Sequence, residues 1–365
     1  MKKILNTVII ILVGTVLLAS CKQKMNKEES LPIETSEKRI NELQVIGSHN
    51  SYKEAIDSTL FQYLLAKDTT KSMLGLQYAH VPILDQLTMG LRNLEIDVYV
   101  DKDGGRYANP AGIDLGSSEL EYDLEEKMKQ PGFKMLHIPD IDFRTQYYLL
   151  EDCLKDLKRW SEANPNHEVV FITLEPKDGD TNKFGTTPEP FTPEAFNELD
   201  QEILKHLGKE NIISPSDVKG NYATLEEAVL HNNWPTLEEG AGKFLFILDT
   251  QDEKREKYAN RDFSYSSKMI FINAEQGNPE AATMIINDPE DKRISEFVKK
   301  GYIIRTRADA NTQEARNNDY SRFNTAKASG AQIITTDYYM PSKLFNSTYE
   351  VKFEDGSYVR ENPVR

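Results

Sequence analysis

Six side chains in this 365-residue sequence have the types and spacing that chemistry needs. His49 and Asn50 follow the apolar run Val45-Ile46-Gly47. Glu95 and Asp97 stand two apart within Leu91-Arg92-Asn93-Leu94-Glu95-Ile96-Asp97-Val98-Tyr99. His137 ends Lys134-Met135-Leu136-His137, and Glu175 ends Val170-Phe171-Ile172-Thr173-Leu174 just before Pro176. Three carboxylates and an amide form an all-oxygen donor set, which suits a hard cation such as Ca²⁺. Zn²⁺ stays open on this chemistry, because His49 or His137 offers it nitrogen. Histidines that a metal does not use are free to accept and donate protons near neutral pH. Such a pair suits displacement at phosphorus, one group deprotonating the attacking oxygen and the other protonating the leaving oxygen.

What must position these residues is a series of strands. Apolar, β-rich runs recur near 43–47, 91–100, 134–138, 168–174, 243–249, 268–273, 301–306 and 332–336, with helix-like stretches such as 145–163 and 194–207 between them. Alternation of this kind predicts parallel strands joined by crossovers, and eight units predict a closed (β/α)₈ TIM barrel in a single catalytic domain, 41–365. Chemistry in that fold gathers at the carboxyl ends of the strands. His49 with Asn50, Glu95 with Asp97, His137 and Glu175 would then close four consecutive strands at one rim. The spacing of Glu95 and Asp97 puts both on one strand face, with Leu94, Ile96 and Val98 on the other, against helices. Connection 101–133 and the Pro/Gly/Thr/Asp-rich segment 176–193 read as long loops, and 344–365 as a polar tail with one strand at 349–353.

Later strand ends carry Asp249, Arg305, Arg307 and Asp337. An arginine there, with Lys177 as a point charge, would bind a substrate phosphate, and Asp337 belongs with that substrate-binding group. His80, His167, His206 and His231 have no such company and read as surface or structural residues.

A formal charge of −15 argues against nucleic acid and against simple electrostatic docking on an anionic membrane. Residues 1–20 read as an export signal: Lys2 and Lys3 precede an apolar run too short to span a bilayer. Leu18-Ala19-Ser20-Cys21 resembles the lipobox of bacterial lipoproteins. The resemblance implies a lipidated Cys21, a flexible tether over 21–40, and a cell-envelope location with the membrane reached through that lipid. Cys153, the other cysteine, lies in the helical stripe Leu150, Cys153, Leu154, Leu157, Trp160 and reads as core.

The order His-Asn, Glu-x-Asp, His, Glu, in the wording Ser-His-Asn-Ser-Tyr, Leu-Glu-Ile-Asp-Val-Tyr and Leu-Glu-Pro-Lys, resembles the catalytic barrel of calcium-dependent phosphatidylinositol-specific phospholipases C, a secreted microbial branch above all. The likeness covers about residues 41–342. It implies Ca²⁺ held by Asn50, Glu95, Asp97 and Glu175, with His49 assisting deprotonation and stabilising the phosphorane, and His137 as general acid. The substrate would be a phosphoinositide or related phosphodiester, giving diacylglycerol and a cyclic inositol phosphate. A glycerophosphodiester phosphodiesterase is the alternative, although that family follows its first histidine with Arg-Gly and this chain has Asn50-Ser51. A catalytically silent, surface-anchored lipid- or inositol-binding barrel is the third reading.

Overall fold

The computed structural model describes residues 37–117, 121–179, 184–260 and 265–365. The export signal, Cys21 and most of the expected tether lie outside them. The folded body begins at Glu37 rather than Asn41. Ile40 and Asn41 are buried, and Arg39 makes a bridge to Thr236.

The body is built on one ten-stranded sheet: β1 Leu43–Ser48, β2 Asn93–Tyr99, β3 Lys134–Met135, β4 Val170–Pro176, β5 Phe244–Leu248, β6 Ile270–Ile272, β7 Thr283–Ile285, β8 Ile303–Arg307, β9 Ile333–Thr336 and β10 Val359–Glu361. Eight of them run β6-β5-β4-β2-β1-β9-β8-β7, with every ladder between neighbours in that order parallel. The seam between β6 and β7 is drawn together by a single parallel bridge, Asn273 to Thr283, and by the Thr283 hydroxyl donating to the Ile272 carbonyl at 3.0 Å. The result is the expected TIM barrel, nearly closed.

Two strand expectations need correction. Residues 134–138 are not a barrel strand: only Lys134–Met135 join the sheet, antiparallel to the end of β2. Its place among the eight belongs to β7, three residues long and too short to stand out as a run. The strand expected at 349–353 is also absent. Tyr349, Val351 and Phe353 do alternate inward, onto Ala308 and Tyr338, but without a ladder, and the tail's strand is β10.

Helices cover the outer face as their patterns demand. Helix Leu150–Ala163 buries Leu150, Cys153, Leu154, Leu157 and Trp160. Burial pushes the Cys153 thiol up, so it stays a protonated core residue. Helix Pro193–Leu207 starts on Thr192, whose hydroxyl accepts from Ala195 N, with Pro193 in its first turn and Gly208 after its end. The apolar faces of the strands meet these helices in one continuous core, Leu94, Ile96 and Val98 among its members.

Candidate active site

β1 and β2 approach so closely that a side chain at Gly47 has no room. A Cβ there would stand 2.3 Å from that of Asn93, its partner across the ladder. Past Ser48 the chain turns at Asn50, whose φ of 49° is one that asparagine tolerates better than most residues. The turn is fixed to β2 by Ser51 N donating to the Glu95 carbonyl and Ser51 Oγ accepting from Glu95 N, each at 2.8 Å. That local geometry brings Asn50 beside the carboxylates of β2.

Alternation along β2 turns Glu95 and Asp97 into the barrel, and register sets Asp97 opposite Glu175 of β4. Ligand atoms of Glu95, Asp97 and Glu175 all lie within 4.8 Å of one another. Buried Asn50 Oδ1 accepts no hydrogen bond, and the buried Asp97 carboxylate has only long contacts, Lys177 Nζ lying 3.4 Å from Oδ2. Buried acceptors left without donors are costly and need an explanation. A hard cation accounts for them, so the donor set fits Ca²⁺.

Two basic side chains moderate the charge here. Lys177 Nζ lies 2.9 Å from Glu175 Oε1 and 3.4 Å from Asp97 Oδ2. Arg305 crosses the barrel to pair with Glu95 and also donates to Asn287. Burial still pushes the Glu95 and Asp97 carboxyls above the usual range, against the pull of Arg305 on one and Lys177 on the other. Arg305 is 2% exposed, so its guanidinium lies beneath the rim, on a carboxylate, rather than open to solvent as a phosphate clamp.

His49 is held by the far side of the barrel. Its Nδ1 donates to Asp337 Oδ1 at 2.8 Å, at the end of β9. Arg307, from β8, donates to its Nε2 at 3.1 Å and reaches Asp337 Oδ2 at 3.3 Å. Burial and the Arg307 charge push the His49 pKa down to about 3, which keeps the ring neutral. Burial alone would raise Asp337, but His49 and Arg307 hold it down at about 2. Behind it Asp309 accepts from the Asp337 amide at 3.0 Å and from the Thr336 hydroxyl. Sequence placed Arg307 and Asp337 near substrate; both in fact touch His49.

His137 reaches the site differently from the strand end expected of it. It follows the short antiparallel β3, and the Tyr99 hydroxyl donates to its carbonyl at 2.8 Å. A tight turn through Asp140, at φ 70°, pairs Ile138 with Asp142 and folds the Asp142 side chain back. His137 Nδ1 donates to Asp142 Oδ2 at 2.7 Å, and Lys53 Nζ lies 3.1 Å from Asp142 Oδ1. Lys53 is wholly buried, and its ammonium shares its three protons among Asp142 and the carbonyls of Glu54, Leu76 and Tyr78, all within 3.3 Å. Burial raises Asp142, but Lys53 and His137 outweigh it and hold the carboxyl below the usual range. His137, Glu175, Lys177 and Lys254 line one cleft of about 360 Å³.

Sequence reasoning missed Lys53, Asp142, Tyr78 and His80. Tyr78 accepts from Asn50 Nδ2 at 2.8 Å, and His80 Nε2 lies 2.7 Å from the His49 carbonyl. His80 is therefore part of the site's wall, whereas His167 is packed against Trp160 and bonded to Ser161. The one legible signal was proximity: Lys53 lies four residues after His49, and Asp142 five after His137.

A sequence model of the family described as phosphoinositide phospholipase C, Ca²⁺-dependent, matches residues 38–363. No curated protein matches the chain. Among solved structures, it is similar to a calcium-dependent phosphoinositol-specific phospholipase C from Pseudomonas sp., at 16% identity and TM-score 0.54 over 89% of this chain and 95% of that one. A myoinositol complex of the Pseudomonas protein gives the same identity and TM-score, covering 89% and 96%. A Ca²⁺-dependent phosphatidylinositol-specific phospholipase C from Streptomyces antibioticus is 19% identical, with TM-score 0.51 over 86% and 99%. At these identities the structural likeness is one of fold.

Proposed function

Since the chain belongs to the Ca²⁺-dependent phosphoinositide phospholipase C family, we propose that its two histidine–aspartate pairs cleave phosphatidylinositol by internal attack of the inositol 2-hydroxyl on phosphorus. The observation that carries this reading is the two pairs beside the carboxylates of Glu95, Asp97 and half-exposed Glu175 and the buried, unpartnered Asn50 Oδ1. Those four would hold Ca²⁺. When bound, the ion supplies positive charge to the phosphate and lowers the pKa of a coordinated hydroxyl.

The chain's own residues move the protons. With Nδ1 committed to Asp337, His49 keeps the Nε2 lone pair for the 2-hydroxyl proton, and Arg307 transfers its donor from Nε2 to a phosphate oxygen. His137, with Nδ1 on Asp142, gives its Nε2 proton to the glycerol oxygen as the P–O bond breaks. Diacylglycerol leaves, and the new O–P bond closes the cyclic inositol phosphate. Lys177 lines the cleft as the nearest lysine to the ligand carboxylates and adds charge for the phosphate. Asp337 and Arg305 serve as holders, of His49 and Glu95, rather than as direct phosphate ligands. Export through the 1–20 signal and lipidation at Cys21 would put this chemistry at the cell envelope. Among the described residues no helix is long and apolar enough to cross a membrane.

Phosphorus NMR of phosphatidylinositol vesicles tests the reading. Cyclic inositol phosphate should accumulate with Ca²⁺ and stop with chelator. Unchanged cleavage in chelator would remove the calcium assignment, and glycerophosphoinositol consumed in preference to lipid would remove the lipid one.

A further inference from the structure

Two cations are paired with the ligand carboxylates, and they are held very differently. Arg305 and Glu95 are each 2% exposed, and Arg305 is pinned a second time on Asn287. Lys177 lies on the solvent side of the set. Its Nζ donates to Glu175 Oε1 at 2.9 Å and lies 3.4 Å from Asp97 Oδ2. The Lys177 side chain is 25% exposed and that of Glu175 35%. Among the described residues its ammonium bonds to these two carboxylates alone. The residue's amide is fixed, donating to the Val98 carbonyl at 2.9 Å, but a flexible carbon stem separates the ammonium from that anchor. The same side chain lines the cleft of His137. Lys254, the other lysine there, is committed to the Pro176 carbonyl at 2.8 Å and to Asp178 at 3.0 Å.

We propose that the Lys177 ammonium competes with the divalent cation for Glu175 and Asp97, and that a phosphate in the His137 cleft draws it off those carboxylates. The inference rests on the reading of the site as a phospholipase C, and it adds a coupling between the site's two ligands. Glu95, Asp97 and Glu175, when ionised, set three negative charges against the positive charges of Arg305 and Lys177. One net negative charge is a weak lure for a dication, and Ca²⁺ affinity follows the charge of its ligands. An ammonium and a dication on the same carboxylates also repel each other. Arg305 is locked below the rim, so Lys177 is the cation that can yield. It keeps its proton throughout; it changes partners, from carboxylate to phosphate. By linkage, each ligand then tightens the other by the same factor.

Calorimetric titration of the full chain at one fixed pH tests this, with Ca²⁺ and inositol 1-phosphate as the probes. In the unaltered chain, saturating inositol 1-phosphate should tighten Ca²⁺ by about tenfold. Lys177→Met should tighten Ca²⁺ by about tenfold with no phosphate present, and the further gain from inositol 1-phosphate should shrink. Melting offers a second readout: the rise in melting temperature on adding Ca²⁺ should be larger for Lys177→Met than for the unaltered chain. If the methionine variant does not fold, Lys177→Gln carries the same expectations. A folded variant that binds Ca²⁺ no tighter than the unaltered chain would overturn the competition, leaving Lys177 as a phosphate ligand only. A phosphate effect of equal size in the two chains would overturn the coupling. If neither chain binds Ca²⁺, the calcium assignment itself fails and the competition falls with it.

Discussion

The two histidine centres are built to one plan with one part moved. In each, Nδ1 donates to a buried aspartate and a cation holds that aspartate. At His49 the cation is Arg307, which also touches the ring and donates to its free nitrogen. At His137 the cation is Lys53, which reaches the aspartate's other oxygen. A guanidinium against the imidazole opposes protonation, so His49 is set as a base. At His137 the cation stands behind the carboxylate and keeps Asp142 ionised, as the acceptor that orients the ring along the cleft. Where the positive charge sits, rather than which residues form the pair, distinguishes the two centres.

The largest test removes each ring. His49→Ala and His137→Ala should each lower turnover of phosphatidylinositol by about 10²–10⁴-fold, with circular dichroism unchanged. A substrate carrying a nitrophenol in place of diacylglycerol leaves without a proton. It should rescue His137→Ala and leave His49→Ala slow; equal rescue of both would erase the contrast.

Lys53→Met probes the cation behind the carboxylate. It strands Asp142 in the core, so denaturation should show a loss of about 3–5 kcal/mol. Turnover should fall more for the lipid than for the nitrophenyl substrate, which a merely structural role would not produce. Arg307→Met probes the other cation. Without it His49 binds a proton more readily and loses its lone pair at higher pH. The acid limb of kcat/KM should therefore move upward, so that activity at pH 5 falls relative to pH 8.

The smallest effect is a control far from both centres. Glu202 is pushed up to about 7 by burial and by Glu151. An unfolded glutamic acid ionises near 4.5 and the folded one near 7, so this group's contribution is intact below the first value and lost as pH rises through the second. Glu202→Gln should raise the melting temperature at pH 8 by roughly 1–2 °C and change little at pH 4.5.

Local pattern carried much of this site. Alternation alone turned Glu95 and Asp97 to one face, and the barrel rule set Glu175 and Asn50 at the same rim. It failed where structure depends on pairing direction. The run at 134–138 has strand composition, yet nothing in composition says that it folds back antiparallel and leaves His137 on a turn. β7 is three residues between turns and has no period to detect. Lys53 and Asp142 lie 89 positions apart and meet only because two loops cross at the rim, so their pairing could not be assigned from the surroundings of either in sequence. Arg305 looked like a free rim cation because its carboxylate, Glu95, is 210 positions away.

One pairing sets the order in which the chain can finish. Below the point where β2 joins it, β1 is completed by β10, with Leu43 opposite Glu361 and Val45 opposite Val359, while β9 pairs its other edge. The first strand of the barrel therefore waits for a partner at the far end of the folded body. Contacts of such long separation form slowly. Until β10 arrives, the lower half of that edge of β1 keeps its backbone donors and acceptors open.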